Sequence, residues 1–305
     1  MLKEIRNKKL LKERVEVLKH SIQNSKVFLP AKLSKFIFLC GANKSSTEIS
    51  ERRKALIDFA KINLPHAHFF LAEKMFITLR EEGHKGNILD VENLISDFSD
   101  HILIVLESNS SFAELGAFSH SSLREKLVII NNIEYKNEQS FINLGPIRAI
   151  EESSGNNKII YYKMRNDGVT HRDAIGDTFH HLYELFKDPI RHSGKALDLN
   201  VLDPHTNFDK KSAMFIHDLI YLSGPILHKE IIELLKLIFG DKSYNKTMHL
   251  LAILCSFESI ERNKSGLYKS KLETTYFDFR FDTHKYISTF RNYTLRSYPE
   301  RIYEY

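Results

Sequence analysis

Short apolar runs alternate with amphipathic segments along the first two-thirds of the chain. The apolar runs lie at residues 36–39, 68–71, 101–106, 127–131 and 158–164. Runs of this length are typical of strands that are buried on both faces. The segments that predict helices lie at residues 45–62, 90–98, 111–123, 141–152 and 171–187. The alternation predicts an α/β fold with a doubly wound parallel sheet over residues 31–190.

The last third of the chain has a different pattern. Residues 188–207 contain two prolines, a glycine and several polar side chains, which predicts a linker. Three helices are then predicted, at residues 208–222, 226–239 and 244–257. They are followed by a β-hairpin made of residues 259–262 and 267–270. Three helices and a hairpin predict a smaller, winged helix-turn-helix-like domain over residues 205–305.

Residues 1–30 form a third part, in which a cationic helix is predicted up to about residue 26. An apolar stripe and several lysines and arginines share this helix. Three interpretations are open: a surface helix docked on the body of the protein, an arm that faces nucleic acid or another partner, and a membrane attachment.

Composition narrows the classes of protein to consider. The apolar fraction is 42%, enough for a sizeable core, and the formal net charge of +5 permits an anionic partner. Cys40 and Cys255 are the two cysteines and form no CxxC pair, so we expect neither a disulfide framework nor a metal site. The chain is charged from Lys3 onward and has no long apolar run, which predicts a cytoplasmic protein without a membrane span.

Candidate chemistry lies where the predicted strands end. Ligands of doubly wound sheets bind beyond the carboxyl ends of the strands, which selects residues 40–44, 72–74 and 107–114. Glu114 lies about one turn into the helix after the third strand. It could be a catalytic carboxylate, or an ordinary glutamate that the helix dipole favours near a helix start.

The segment Ser111-Phe112-Ala113-Glu114-Leu115-Gly116-Ala117-Phe118 resembles the signature of nucleoside deoxyribosyltransferases, a small-residue turn followed by a Glu-x-Gly core. More closely, the chain resembles bacterial retron effector proteins built on that fold. The matching blocks are residues 37–41, 72–76, 91–95, 107–119 and 140–148. The predicted helices and hairpin of the last third resemble the C-terminal domain of those effectors in pattern.

The resemblance implies roles for particular residues. Glu114 corresponds to the glutamate that attacks the anomeric carbon, and Glu92 resembles a second catalytic acidic residue. Deoxyribosyltransferases tend to carry aspartate where this chain has Ser108, which favours simple cleavage over base transfer. The residues expected to contact the substrate are Cys40, Gly41, Glu73, Ser108, Ser111 and Asn143. Glu73 could instead be a solvated helix-cap carboxylate, and Asn143 could cap the turn before Pro146.

The function that the resemblance implies is that of a toxic antiphage effector, an N-glycosidase that cleaves NAD as a substrate and uses no cofactor. Its expected partners are a retron reverse transcriptase and its RNA-linked DNA, which hold the effector in check until phage infection. A higher-order assembly is expected, because related enzymes often complete their sites across subunits. Two alternatives remain open: an N-glycosidase of nucleosides or nucleotides, and a catalytically inactive nucleic-acid-binding scaffold.

Positive charge in the last third predicts contact with nucleic acid. The cations of the hairpin are Arg262, Lys264, Lys269 and Lys271. The candidate recognition helix at residues 244–257 is mostly apolar, so we expect phosphate contacts without base reading. The final segment alternates aromatic and cationic residues, which suits either nucleic-acid contact or plain packing.

Overall fold

The computed structural model describes residues 5, 7–45, 48–81, 98–120, 122–165, 173–191, 194 and 196–303, without the side chains of Met75 and Phe76. Its α-helices are α1 (Lys9–Gln23), α2 (Glu51–Asn63), α3 (Ala72–Glu81), α4 (Asn109–Phe118), α5 (Arg148–Ser154), α6 (Phe179–Phe186), α7 (Leu199–Leu202), α8 (Lys210–Ser223), α9 (His228–Phe239), α10 (Thr247–Ser256), α11 (Thr283–Ser297) and α12 (Glu300–Tyr303). Its strands are β1 (Val27–Phe28), β2 (Lys32–Leu33), β3 (Lys35–Cys40), β4 (Ala67–Phe70), β5 (His101–Val105), β6 (Leu127–Asn132), β7 (Ile159–Tyr162), β8 (Ile190–Arg191), β9 (Ile226–Leu227), β10 (Ile260–Arg262), β11 (Leu267–Ser270) and β12 (Asp278–Phe279).

The chain divides into two compact units. We call them the sheet unit, which contains Leu33–Glu73 and Gly86–Ile190, and the helical unit, which contains Met1–Lys32, Lys74–Lys85 and Arg191–Tyr305. The N-terminal helix α1 therefore belongs to the same unit as the last third of the chain.

The sheet unit contains a five-stranded sheet in the order β4-β3-β5-β6-β7, and every neighbouring pair is parallel. The α/β fold with a parallel sheet is confirmed. The chain places β4 on one side of β3 and β5 on the other, so the strand order reverses between β3 and β5. Ligands of such sheets bind in the crevice at this reversal, beyond the carboxyl ends of the two strands.

Helices cover both faces of the sheet. On one face, α2 and α6 bury Leu56, Leu182 and Phe186 against side chains such as Ile37 and Leu103. On the other face, Phe118 of α4 packs edge-on against Phe38 of β3, with ring centroids 6.0 Å apart. Because both faces are covered, the strands are apolar on both sides, which is why they are continuous runs in the sequence.

Helix α2 begins later than the sequence predicts. The predicted helix covers residues 45–62, whereas α2 covers Glu51–Asn63. The observed helix begins after Ser50, whose side chain accepts the backbone N–H of Arg53. Before it, the hydroxyl of Ser45 accepts the N–H of Glu48 and closes a turn. A serine side chain can cap a helix or close a turn, so residue type alone does not show which serine precedes the first turn of the helix. The predicted helix at residues 90–98 lies outside the described residues, apart from Phe98.

The helical unit contains the order α8-β9-α9-α10-β10-β11. Its antiparallel sheet has the strand order β10-β11-β9, so the predicted hairpin is present and a third strand joins it. The prediction placed β9 inside a helix at residues 226–239. Ile226 and Leu227 instead pair with Tyr268 and Leu267 of β11, a tertiary contact that helical periodicity does not report.

Buried polar groups hold the helical unit together. His217 of α8 contacts Asp218 through Nδ1 at 2.8 Å and Ser270 of β11 through Nε2 at 2.9 Å. The Asp218 carboxylate also accepts the backbone N–H groups of Tyr276 and Phe277. These bonds fix the chain after the hairpin onto α8.

Helix α1 packs within this unit, against α9 and α11. Its apolar stripe, which includes Leu11, Val15 and Leu18, is almost completely buried there. The structure therefore favours the docked surface helix among the three interpretations of this segment. Among the described residues, no helix combines the length and the apolarity needed to cross a membrane.

Candidate active site at the carboxyl edge of the sheet

A turn of small polar residues joins β5 to α4. The side chain of Ser108 accepts the backbone N–H of Ser111, and the Ser111 hydroxyl accepts the N–H of Ser108 in return. This reciprocal capping satisfies donors that would otherwise be left open at the start of the helix. The turn therefore sets the direction in which α4 leaves the sheet edge.

Glu114 lies in the second turn of α4 and is half-buried, with its Oε2 oxygen shielded from solvent. Leu115 and Phe118 anchor the same helix in the core, with 0% and 1% of their surfaces exposed. An anchored helix restricts the positions that a side chain on it can reach. The structure thus holds the Glu114 carboxylate on a rigid element close to the carboxyl edge of the sheet.

Glu107, two residues after the end of β5, lies at the reversal in strand order. Its Oε1 oxygen accepts the backbone N–H of Ala42 at 3.0 Å and the hydroxyl of Ser50 at 2.6 Å. Its Oε2 oxygen accepts Nη1 of Arg52 at 3.0 Å, and only 2% of the glutamate side chain is exposed. One buried carboxylate thus joins the end of β5 to the loop after β3 and to the start of α2.

Arg52 extends this network to the chain that follows β7. Its Nε and Nη2 atoms donate to Oδ2 of Asp173, and Nη2 also donates to the carbonyl of Arg165. Burial raises the pKa of the Asp173 carboxyl, but the hydrogen bonds from Arg52 and the Arg165 amide outweigh burial and hold this pKa below its usual value. The two ends of the segment between Arg165 and Asp173 are therefore fixed by one guanidinium group.

A second ion pair occupies the end of β4. Arg53 is buried and donates to both carboxylate oxygens of Glu73, at 2.8 and 3.1 Å, and to Asn43. Burial raises the pKa of Glu73, but the contacts with Arg53 outweigh it and lower this pKa. Glu73, predicted to contact substrate, is thus an ionised partner of Arg53 that keeps about a third of its side chain exposed.

Position 41 has to be glycine, because Glu107 and Arg53 approach its Cα atom too closely for a Cβ atom to fit. A Cβ atom at this position would lie 2.9 Å from Oε1 of Glu107 and 3.0 Å from Cδ of Arg53. Both contacts are shorter than ordinary van der Waals distances. The glycine predicted to contact substrate therefore makes room for the buried ion pairs.

The other predicted substrate residues differ in accessibility. Cys40 and Ser111 are buried, with 2% and 0% of their surfaces exposed, which gives them roles in packing and in shaping the turn. The Ser108 hydroxyl contacts Ser110 and Ser111 and stays partly accessible. The amide of Asn143 donates to the carbonyls of Tyr135 and Glu138 and so binds the loop that follows β6, not the turn before Pro146 that was predicted as its alternative role. Glu92 lies outside the described residues.

Local sequence pattern does not identify Arg52, Arg53 and Asp173, which organise this edge, and it does not single out Glu107 within the selected segment 107–114. Arginine and aspartate next to polar turns usually lie in solvent, so their residue types do not predict burial. The adjacent pair Arg52-Arg53 at a helix start, where the dipole disfavours cations, was the available signal. Among the described residues, no group of histidine, cysteine or carboxylate side chains is arranged to hold a metal ion.

The hairpin cations of the helical unit are not equivalent. Arg262 forms an ion pair with Glu81 at 3.2 Å, so its charge is partly neutralised within the unit. Lys264 and Lys271 are exposed, and Lys269 is half-buried. Two of the four predicted contact residues of the hairpin are therefore exposed to solvent.

A five-stranded parallel sheet covered by helices, with a capped turn after β5 and a half-buried glutamate on the helix that follows this turn, defines an α/β domain with a candidate site at its carboxyl edge. Residues 48–262 match the model of the STM3845 retron effector protein family. This match covers more than half of the chain, and the chain belongs to that family of bacterial retron effectors.

Two curated relatives agree with this assignment. The chain is 42% identical over 292 residues to an Escherichia coli protein named "Retron Ec73 putative ribosyltransferase/DNA-binding protein", covering 93% of this chain and 92% of the relative. It is 28% identical over 229 residues to the Escherichia coli "Retron Ec86 putative ribosyltransferase/DNA-binding protein", covering 75% of this chain and 73% of that protein.

Glu107→Gln should destabilise the protein by about 2–4 kcal/mol, because it leaves the Arg52 charge buried with one carboxylate partner fewer. The matched control is Glu152→Gln, which removes a carboxylate from an exposed ion pair with Arg148 and should cost less than about 0.5 kcal/mol. Urea unfolding measures both changes. Equal effects of the two substitutions would show that the Glu107 network contributes nothing special to stability.

The lowered pKa of Asp173 predicts a loss of stability in acid. The folded-state pKa lies below the unfolded value of about 3.9, so this contribution is present above that pH and disappears as the pH falls through the folded-state pKa. Asp173→Asn should therefore flatten the acid limb of a plot of unfolding free energy against pH. If the unfolding free energy of Asp173→Asn falls as steeply with pH in acid as that of the unsubstituted protein, other carboxylates cause the loss of stability.

Proposed function

We propose that this retron effector is an N-glycosidase that cleaves the N-ribosidic bond of NAD, with Glu114 as the nucleophile. The observation that carries the proposal is the placement of Glu114, half-buried on a helix that the core anchors next to the carboxyl edge of the sheet. The names of the two relatives, which contain the word ribosyltransferase, support chemistry at a ribosyl carbon.

In the proposed reaction, an oxygen of the Glu114 carboxylate bonds to the anomeric carbon of the nicotinamide ribose while the carbon–nitrogen bond breaks. The bonding electrons stay on the ring nitrogen, so the cationic pyridinium leaves as neutral nicotinamide. Water then attacks the same carbon, which releases ADP-ribose, a proton and the free carboxylate. Glu92 is proposed as the second acidic residue, and Ser108 in place of an aspartate favours water over a second base as the acceptor.

An alternative substrate class is nucleosides or nucleotides, which an N-glycosidase could cleave with the same glutamate. A purified preparation incubated separately with NAD and with a nucleoside panel, with base release followed by chromatography, distinguishes the two. Release of nicotinamide alone supports NAD cleavage, and release of other bases supports the alternative. No release from any compound would favour an inactive scaffold.

Glu114→Gln should abolish base release, by on the order of 10⁴-fold or more, and should abolish toxicity in cells. Glutamine keeps the size and the hydrogen-bonding reach of the side chain but is not a nucleophile. The Glu152→Gln protein serves as the control and should keep full activity. Base release by a folded Glu114→Gln protein at the unsubstituted rate would identify Glu114 as an ordinary helix carboxylate.

We also propose that the helical unit contains a winged-helix domain that binds the RNA-linked DNA of the retron. The order helix, strand, two helices, two strands and the three-stranded antiparallel sheet support this assignment. Helix α10 would be its recognition helix, yet Leu250, Leu251 and Leu254 are completely buried and no side chain of α10 is fully exposed. Such a helix is poorly suited to read base edges, which favours contacts with phosphates.

Restraint by the retron reverse transcriptase and its RNA-linked DNA would follow from this binding, with release on phage infection. A cytoplasmic location and a higher-order assembly of effector and partners are part of the same proposal. The printed names of the relatives include DNA binding, which supports a nucleic-acid partner.

Replacing Lys264, Lys269 and Lys271 together by alanine should weaken binding to the RNA-linked DNA and make its salt dependence shallower, with a slope smaller by about 2–3. Glycosidase activity of the free protein should change little. A salt titration with the RNA-linked DNA and with unrelated duplexes measures both affinity and preference. A tight, salt-insensitive preference for one duplex sequence would contradict the proposal and indicate a sequence-specific regulator.

A further inference from the structure

The outer face of α11 is cationic and free of carboxylates. Between Thr283 and Ser297 the helix contains Lys285, Arg291 and Arg296, which are all exposed, and neither aspartate nor glutamate. The inner face buries Tyr286 and Phe290, the two aromatic side chains that stack with centroids 4.8 Å apart. The alternation of aromatic and cationic residues in the sequence therefore separates into two faces of one helix.

Helical geometry brings the three cations onto one side. At about 100° per residue, Lys285, Arg291 and Arg296 fall within an arc of roughly 140°, with Ser288 and Asn292 between them. The axial distance from the first to the last cation is about 17 Å, at roughly 1.5 Å per residue. That length corresponds to about five nucleotides along one strand of a DNA duplex, at roughly 3.4 Å each.

These charges are available to a ligand. Within the described part of the chain, no carboxylate forms an ion pair with Lys285, Arg291 or Arg296. Arg301 of the same unit is different, because it is buried and forms an ion pair with Glu230.

The cations border a shallow groove between side chains on the surface of α11. The groove is open to solvent and is lined by Asp282, His284, Lys285, Ile287, Ser288, Arg291 and Asn292. The Asp282 carboxylate accepts the backbone N–H of Lys285 and caps the helix.

We infer that this face of α11 is a second phosphate-binding surface, which contacts the backbone of the nucleic-acid partner without reading its sequence. The inference rests on the proposed nucleic-acid binding of the helical unit. Tyr286 and Phe290 are buried, so they are not available to stack on bases, and the contact is electrostatic. Insertion into a membrane requires an exposed apolar face. Among the described residues of α11, Leu295 is the one large apolar side chain that is exposed, so this face does not suit insertion.

The test replaces Lys285, Arg291 and Arg296 together by alanine in the full chain. Binding to the RNA-linked DNA and to an unrelated duplex, measured by fluorescence anisotropy across a salt series, should weaken roughly tenfold or more at moderate salt. The slope of log affinity against log salt should become shallower by about 2–3. The variant Lys285→Arg, Arg291→Lys, Arg296→Lys keeps the charge and should bind as the unsubstituted protein does.

A matched variant controls for net charge. Replacing Lys54, Lys61 and Lys136, which are exposed in the sheet unit, by alanine removes three charges and should leave the slope unchanged. An equal loss in this control would show a general charge effect and overturn the inference. Loss of binding in the charge-keeping variant would overturn it too, because phosphate neutralisation tolerates exchange of arginine and lysine.

The remaining outcomes distinguish failure of the α11 surface from failure of the proposed nucleic-acid binding by the helical unit. If the alanine variant of α11 binds normally while the hairpin variant does not, the α11 surface is wrong and the nucleic-acid function stands. If the unsubstituted protein binds no nucleic acid at any salt concentration, the proposed function of the helical unit fails first. Loss of binding to phosphatidylserine vesicles with unchanged nucleic-acid binding would assign α11 to a membrane surface instead.

Discussion

The buried ion pair between Arg52 and Glu107 is the interaction on which the candidate site depends. Removing two charges from water is costly, and the cost is offset only when each charge has several well-placed partners. Here Glu107 accepts three donors and Arg52 also donates to Asp173 and Arg165. Because these partners come from separate loops, the same bonds that neutralise the charges hold the carboxyl edge of the sheet in one arrangement.

This arrangement explains how a single glutamate can be presented for chemistry. Ser108 follows Glu107 directly and caps α4, and the core anchors that helix through Leu115 and Phe118. The position of Glu114 therefore depends on the ion pair at Glu107, on the cap at Ser108 and on the buried residues of α4. In the helical unit, Tyr286 and Phe290 of α11 pack inward, while Lys285, Arg291 and Arg296 of the same helix are exposed to solvent.

Much of the fold was predictable because local pattern and tertiary burial agree there. The strands of the parallel sheet are buried on both faces, so continuous apolar runs identified them, and the hairpin was identified by its turn. Strand β9 was missed because it consists of two residues that become extended only by pairing with β11. Glu114 was selected from the sequence by its resemblance to a known signature, whereas Arg52, Arg53 and Asp173 resemble ordinary surface residues until distant segments enclose them.

By itself the sequence determined the five strands of the parallel sheet, the place of Glu114 after the third of them, and the excess of cations near the C-terminus. These properties follow from hydrophobic periodicity and residue type, which act over a few neighbouring positions. Only the tertiary structure decided that Glu73 pairs with Arg53, that Gly41 makes room for Glu107, and that α1 packs with the last third of the chain. Each of these contacts joins segments far apart in sequence, and their pairing depends on geometry that local pattern does not contain.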